Sequence, residues 1–269
     1  MKRLLVLLLS VCLSSSLAAY VEGSGGGDTP PGSGADAGDA KGSIFRVTGP
    51  IMPKWDPAVG SDYASCVVLI NAFDSLVFPT PDGGVKPWVA ESWEISPDGL
   101  TWDFKIRKGI KFHSGNQLTA YDVAYSMNRL LEIGEGFAFL FYEYIDSVEV
   151  IDDFNVRFVC KTAYGPLLNS LVRFYIVDQK LLETKYALSG DYGDKGDYGK
   201  GYLLEHDAGS GPYVVDSVST NISVGGTKFK DYWDGFEKNT PENIRIGPAG
   251  SEGLYRMHRS DIGSLSGQG

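Results

Sequence analysis

From Thr101 to Arg107 apolar and polar residues alternate, with Trp102, Phe104 and Ile106 on one side and Asp103, Lys105 and Arg107 on the other. A period of two belongs to a strand with one buried face. A second short strand pattern begins upstream at Ala90, and Ser96-Pro97-Asp98-Gly99 between the two carries turn chemistry. The segment from Ala90 to Phe112 is therefore predicted to form an amphipathic hairpin. A second hairpin is predicted over Val148 to Cys160, turning at Asp152-Asp153-Phe154-Asn155. Between them Val123, Met127, Leu130 and Leu131 give an apolar helical stripe. Thr119 suits the N-cap of that helix, and Asp122 stands where a capping box places its acidic residue, near the positive end of the helix dipole. Trp88 to Lys161 thus reads as hairpin, helix, hairpin.

Before this unit, Ser43 to Thr48 reads as a first strand and Trp55-Asp56-Pro57 as the loop after it. Ser61 or Asp62 can cap a helix running to about Leu76, with Val67, Ile70 and Phe73 at helical spacing, and Pro79 to Gly84 breaks the pattern. After Lys161 the expected elements are a strand over Phe174 to Val177, a helix over Lys180 to Tyr186, a strand over Val214 to Val218 and a short strand over Glu242 to Ile246. Ser189 to Lys200 contains the near-repeat Gly190-Asp191-Tyr192-Gly193 and Gly196-Asp197-Tyr198-Gly199. Glycine loops rich in Asp can bind calcium, but this spacing lacks the acidic residue that closes an EF-hand loop, so a solvated surface loop is expected.

The N-terminus changes the picture. Lys2 and Arg3 precede an apolar stretch from Leu4 to Leu13, followed by Ser14-Ser15-Ser16-Leu17-Ala18-Ala19, the layout of a secretory leader. The apolar run is about half of the ~20 residues a spanning helix needs. Leu17-Ala18-Ala19 resembles a lipoprotein signal region, but Tyr20 stands where the lipidated cysteine belongs, so processing near Ala18 or Ala19 without a lipid anchor is expected. Val21 to Lys41 is rich in Gly, Ser, Asp and Pro and is predicted to be a flexible tether. The chain of 269 residues carries a formal charge of −10, which disfavours nucleic acid and anionic lipid as partners. Of the three cysteines Cys12 lies in the leader. Cys66 and Cys160 sit among apolar residues, which favours two buried thiols, although an exported protein permits them to pair.

The order of residues carries more than their periodicity. The Asp98-Gly99 turn followed by Thr101-Trp102, the alternating strand, Arg107-Lys108-Gly109 and Lys111-Phe112-His113 resembles the signature of the family 5 extracellular solute-binding proteins, the dipeptide, oligopeptide and nickel receptors of ABC importers. Phe112-His113-Ser114-Gly115 through Thr119-Ala120-Tyr121-Asp122-Val123 fits the same family. So do Gly209-Ser210-Gly211-Pro212-Tyr213 and Asp231-Tyr232-Trp233-Asp234-Gly235, while Arg259-Ser260-Asp261-Ile262 is a weak match to a later segment. The resemblance covers about Ser43 to Ile262. It implies an α/β fold like the type II periplasmic binding proteins, in which this chain supplies the first lobe with an inserted α+β subdomain and lacks the second lobe. The implied organisation is a signal peptide over 1–19, a linker over 20–42, the first lobe over 43–87 and 164–250, the inserted subdomain over 88–163, and the start of a crossing to the second lobe over 251–269.

The residues offer no catalytic constellation. His113, His206 and His258 are far apart, with neither an H-E-x-x-H nor a C-x-x-C spacing, and Ser210 is not in a nucleophile elbow. His113 reads as a structural or surface residue. No enzyme activity, cofactor or metal is expected. What the resemblance implies is a monomeric extracytoplasmic receptor for a small peptide or other small solute, presenting it to the transmembrane subunits of an ABC permease. An oligosaccharide-binding relative, or a fragment that no longer holds solute, is the alternative. In peptide-binding relatives an "[FY]-E-G-L" segment lies near the ligand, and Phe73-Asp74-Ser75-Leu76 occupies that place. Asp74 can attract a ligand amine or cap local backbone, and Ser75, Trp55 and Tyr63 complete the candidate ligand set. Asp98, Gly99, Trp102, Arg107, Gly209, Gly211, Pro212, Tyr213, Tyr232 and Trp233 are the structural landmarks. Asn221-Ile222-Ser223 is a glycosylation sequon that matters only in a host able to modify it.

Overall fold

The computed structural model describes residues 44–49, 53–219 and 223–248. The leader, the tether, Asn221 of the sequon and Arg259 to Ile262 lie outside them.

Alternation at Thr101 becomes the centre of a four-stranded antiparallel sheet. Strands β4 (Ala90–Ile95) and β5 (Thr101–Ile106) form the first hairpin, β6 (Ile145–Asp152) and β7 (Asn155–Cys160) the second, in the order β4-β5-β7-β6. Trp102 pairs with Phe158 and Phe104 with Val156, so the apolar sides of both hairpins share one face. The first turn closes as its residues require: Gly99 is left-handed at φ 71°, and its N–H donates to the Ser96 carbonyl at 2.8 Å. Ser96 Oγ and the Leu100 N–H both donate to Asp98.

Helix α2 (Ala120–Ile133) packs across β6 and β7. Asp122 accepts from the Thr119 N–H and hydroxyl at its start, and left-handed Gly134 ends it. Helix α1 (Tyr63–Ala72) begins at Asp62, whose carboxylate accepts from the Ser65 N–H at 3.0 Å. It stops four residues short of the expected Leu76. Phe73 turns extended because Gly211 approaches the helix end and donates its N–H to the Ala72 carbonyl at 3.0 Å.

The other four-stranded sheet has the order β1-β10-β9-β8, from β1 (Ile44–Gly49), β8 (Tyr213–Ser219), β9 (Ser223–Lys228) and β10 (Asn243–Pro248). Strands β1 and β10 run parallel, and the remaining pairs are antiparallel. Strand β9 carries no alternation that would announce it. Gly225 leaves room there for two side chains, since a Cβ would lie 2.1 Å from the Arg245 guanidinium and 2.3 Å from Ser217 Oγ.

Two further segments depart from the expected pattern. The Pro79 to Gly84 break is the tip of a small hairpin of β2 (Val77–Pro79) and β3 (Val85–Pro87). Phe174 to Val177 is buried but joins no sheet, making only an isolated bridge from Tyr175 to Ser75. Short helices α3 (Leu167–Leu171) and α4 (Gln179–Glu183) flank it. One continuous apolar cluster runs from Trp55 to Ile246, with Phe174 edge-on to both Phe141 and Phe158 across the inserted segment.

The solvated loop expected at Ser189 to Lys200 is only half correct. Its first repeat is exposed at Gly190 and Asp191, whereas Gly196, Tyr198 and Gly199 are buried. Asp197 uses its carboxylate on the N–H groups of Ala187, Gly199 and Gly201. Tyr198 has a left-handed backbone, φ 55°, which a bulky residue adopts only when its surroundings hold it. The hold is visible: its carbonyl accepts from Arg129 Nε at 2.9 Å and its ring lies against Tyr125, Tyr186 and Tyr192. Cys66 also differs from expectation, being half-buried, while Cys160 is buried; the two are not disulfide-linked.

Candidate functional site

The glycine segment and the Tyr-Trp segment converge on one carboxylate. Asp74, 2% exposed, follows the end of α1 in the extended stretch leading to β2. Its Oδ1 accepts from Trp88 Nε1 at 2.8 Å and from the Tyr232 hydroxyl at 3.3 Å. Its Oδ2 accepts from Ser210 Oγ at 2.9 Å and from Trp233 Nε1 at 3.1 Å. A carboxylate offers about four lone-pair sites, so these four donors fill it. Burial pushes the Asp74 carboxyl above its ordinary value despite the donors, and burial beside Asp74 drives the Tyr232 phenol well above its own.

The glycines of Gly209-Ser210-Gly211 make this approach possible. A Cβ on Gly209 would stand 1.9 Å from the Ala72 carbonyl oxygen, and one on Gly211 would stand 2.6 Å from the Ala72 carbonyl carbon. Pro212 accepts from the Phe229 N–H, and the buried Tyr213 donates its hydroxyl to the Pro241 carbonyl, fixing the entry to β8. On the other side of Asp74 the rings cluster: Trp88 lies tilted against Phe78 at 4.6 Å and edge-on to Trp233 at 4.9 Å. Arg107 sits over Trp233 and donates Nε to the Trp88 carbonyl at 3.2 Å, and Lys86 lies over both Phe78 and Trp88.

The expected ligand set does not gather around Asp74. Trp55 is 6% exposed and donates its indole N–H to the His206 carbonyl. Ser75 is buried and donates to the Val77 carbonyl at 2.7 Å. Tyr63 is at the surface, 43% exposed. All four partners of the Asp74 carboxylate are side chains, which sets aside local backbone capping by it, and a ligand amine would have to displace one of them.

Two more buried polar clusters escaped the sequence. Arg129, 1% exposed, grips Asp56 with both terminal nitrogens at 2.6 and 2.7 Å. An arginine between Met127 and Leu130 on the apolar stripe is the signal that could have found it. His113 places Nδ1 2.7 Å from Asp207 Oδ1 and Nε2 2.9 Å from the Gly211 carbonyl. Among the landmarks, Trp102 is the exception: its buried indole N–H has no hydrogen-bond partner. Among the described residues no group of His, Cys, Asp and Glu is placed to hold a metal, and no helix is long and apolar enough to cross a membrane.

Residues 84–252 match the sequence model of the bacterial extracellular solute-binding proteins, family 5 Middle. The chain is 31% identical over 190 residues to di/tripeptide-binding protein 2 of Pseudomonas aeruginosa, covering 64% of this chain and 34% of that protein. It is 30% identical over 169 residues to heme-binding protein A of Haemophilus influenzae, covering 56% and 30% respectively. The chain thus spans about a third of the length of the curated relatives it matches. Its fold is similar to that of NikZ from Campylobacter jejuni, solved in complex with Ni(L-His), at a TM-score of 0.65 and 22% identity over 81% of this chain and 42% of that one. The likeness shows the α/β fold of the type II periplasmic binding proteins.

Proposed function

Because the chain belongs to the bacterial extracellular solute-binding proteins of family 5, a family of solute-binding proteins rather than enzymes, we propose that it serves as the extracytoplasmic binding component of an ABC importer with peptides as its solute. The match over residues 84–252 carries this reading, and the name of the Pseudomonas relative favours di- and tripeptides within it. In this reading the described residues are the first lobe of a two-lobed receptor, residues 1–19 direct export to the periplasm or cell exterior, and the partner is the transmembrane part of the permease. Solute sits between lobes in such receptors, and closure around it is a population shift between open and closed forms. On this lobe Tyr63 offers an exposed aromatic surface, whereas Trp55, Asp74 and Ser75 are buried and spend their polar atoms on other parts of the protein.

Titration calorimetry of the purified chain with a di- and tripeptide library tests the proposal. Saturable heat with some members is expected. A folded protein, judged by circular dichroism and a cooperative melt, that gives no heat across the library would overturn it.

A further inference from the structure

We propose that His113 is a proton-operated latch that fastens the glycine loop to the arm following the first hairpin, and that loss of its proton releases the loop at Gly211. The inference goes beyond solute binding and needs no solute.

Its basis is the chemistry of the two atoms that His113 faces. Nδ1 meets a carboxylate oxygen of Asp207 and Nε2 meets the carbonyl oxygen of Gly211. A backbone carbonyl only accepts, and Asp207 already accepts the N–H groups of Gly209 and Val215, one at each oxygen, so both of its oxygens serve as acceptors. Both ring nitrogens therefore donate, and only the imidazolium can do that. The ring is enclosed, its side chain 5% exposed, with the edge of Phe229 against it.

The charged surroundings point the same way. Asp207 and, further off, Asp74 are the ionisable groups acting on the ring; Lys111, on its own arm, is engaged by Asp231 at 3.8 Å. Burial alone would lower the imidazole's affinity for its proton, but Asp207 and the Gly211 carbonyl outweigh it and hold His113 above its ordinary 6.5. A raised histidine stabilises the fold fully below the unfolded value, and that contribution is lost as pH rises through the folded value. Once neutral, the ring keeps one N–H. If this stays on Asp207, the Nε2 lone pair confronts the Gly211 carbonyl. Gly211 also donates to Ala72 at the end of α1, and its neighbour Ser210 donates to Asp74, so the latch acts on the segment that closes the Asp74 cluster.

The test uses the full chain. The His113 ring is titrated by NMR, assigned with His113→Gln, while hydrogen exchange is followed at the Gly211 and Phe104 amides and corrected for intrinsic rates. His113 is expected to titrate above 6.5, and Gly211 protection to fall severalfold across that transition while Phe104, inside the antiparallel sheet, holds. In His113→Gln, which cannot titrate, the step at Gly211 should vanish. A His113 value at or below 6.5, unchanged Gly211 protection, or a step that persists in His113→Gln would each overturn the proposal. Should the variant fail to fold, the wild-type protection of Gly211 against Phe104 across pH decides.

Discussion

Arg129 and Asp56, 73 residues apart in sequence, meet as a buried two-pronged ion pair at 2.6 and 2.7 Å. The remaining guanidinium nitrogen, Nε, holds the carbonyl of Tyr198, so one side chain of α2 joins the loop after β1 to the Gly-Asp-Tyr loop. Arg129→Met leaves a buried carboxylate without its cation and is expected to cost about 3–5 kcal/mol. Combining it with Asp56→Ala should cost less than the sum of the two single changes, because neither charge is then left alone. Urea unfolding of the four proteins of the cycle measures both.

Asp74→Asn is nearly the same size but presents an NH₂ group where two donors already point. At least one of Trp88, Ser210, Tyr232 and Trp233 then loses its acceptor inside the fold. The expected loss is about 2–4 kcal/mol, accompanied by a change in tryptophan fluorescence, since both Trp88 and Trp233 touch the carboxylate. An unchanged urea midpoint would contradict the role given to Asp74.

Gly209→Ala inserts a methyl group against the Ala72 carbonyl, which is backbone and cannot swing aside. Overpacking of this kind costs about 1–3 kcal/mol or more. Gly165→Ala, whose new methyl would meet nothing within 4 Å, is the matched control and should stay within about 0.5 kcal/mol of the parent.

Acid should weaken the antiparallel sheet through Asp103. The Arg157 side chain beside it holds its carboxyl below the ordinary value, outweighing the opposing effect of burial. A carboxyl lowered in the folded state stabilises it above the unfolded value of 3.8, and that support fades as pH falls through the lower folded value. Both side chains are well exposed, so the effect is modest and shrinks in salt. Thermal melts from neutral to acid pH should therefore show Asp103→Asn losing less Tm on acidification than the parent.

How much of this was legible beforehand depended on how local the cause was. The hairpin turn at Asp98-Gly99, the start of α1 at Asp62 and the start of α2 at Thr119 and Asp122 are set by residues within a few positions of one another, and each stands where the pattern placed it. The end of α1 was not legible, because it is set by Gly211, far along the chain. Strand β9 escaped for a related reason: Gly225 and Gly226 are there to admit neighbouring side chains and backbone, and they erase the alternation that marks a strand. The second Gly-Asp-Tyr repeat looks solvated because its spacing completes no calcium loop, yet Tyr198 is drawn inward by Arg129 and three other tyrosines. Around Asp74 the residue was visible in advance but its occupancy was not. The two tryptophans, the tyrosine and the serine that fill it come from three distant segments.

That occupancy bears on how such receptors diversify. The glycine and Tyr-Trp segments through which this chain resembles its family point their polar atoms inward, onto Asp74, Asp207 and the end of α1, and Arg107 joins Trp88 to Trp233 beside them. A signature used for internal assembly places little constraint on cargo, because the surface that meets the solute can be rewritten without disturbing it. Relatives named for di/tripeptides and for heme are what such a division of labour would produce.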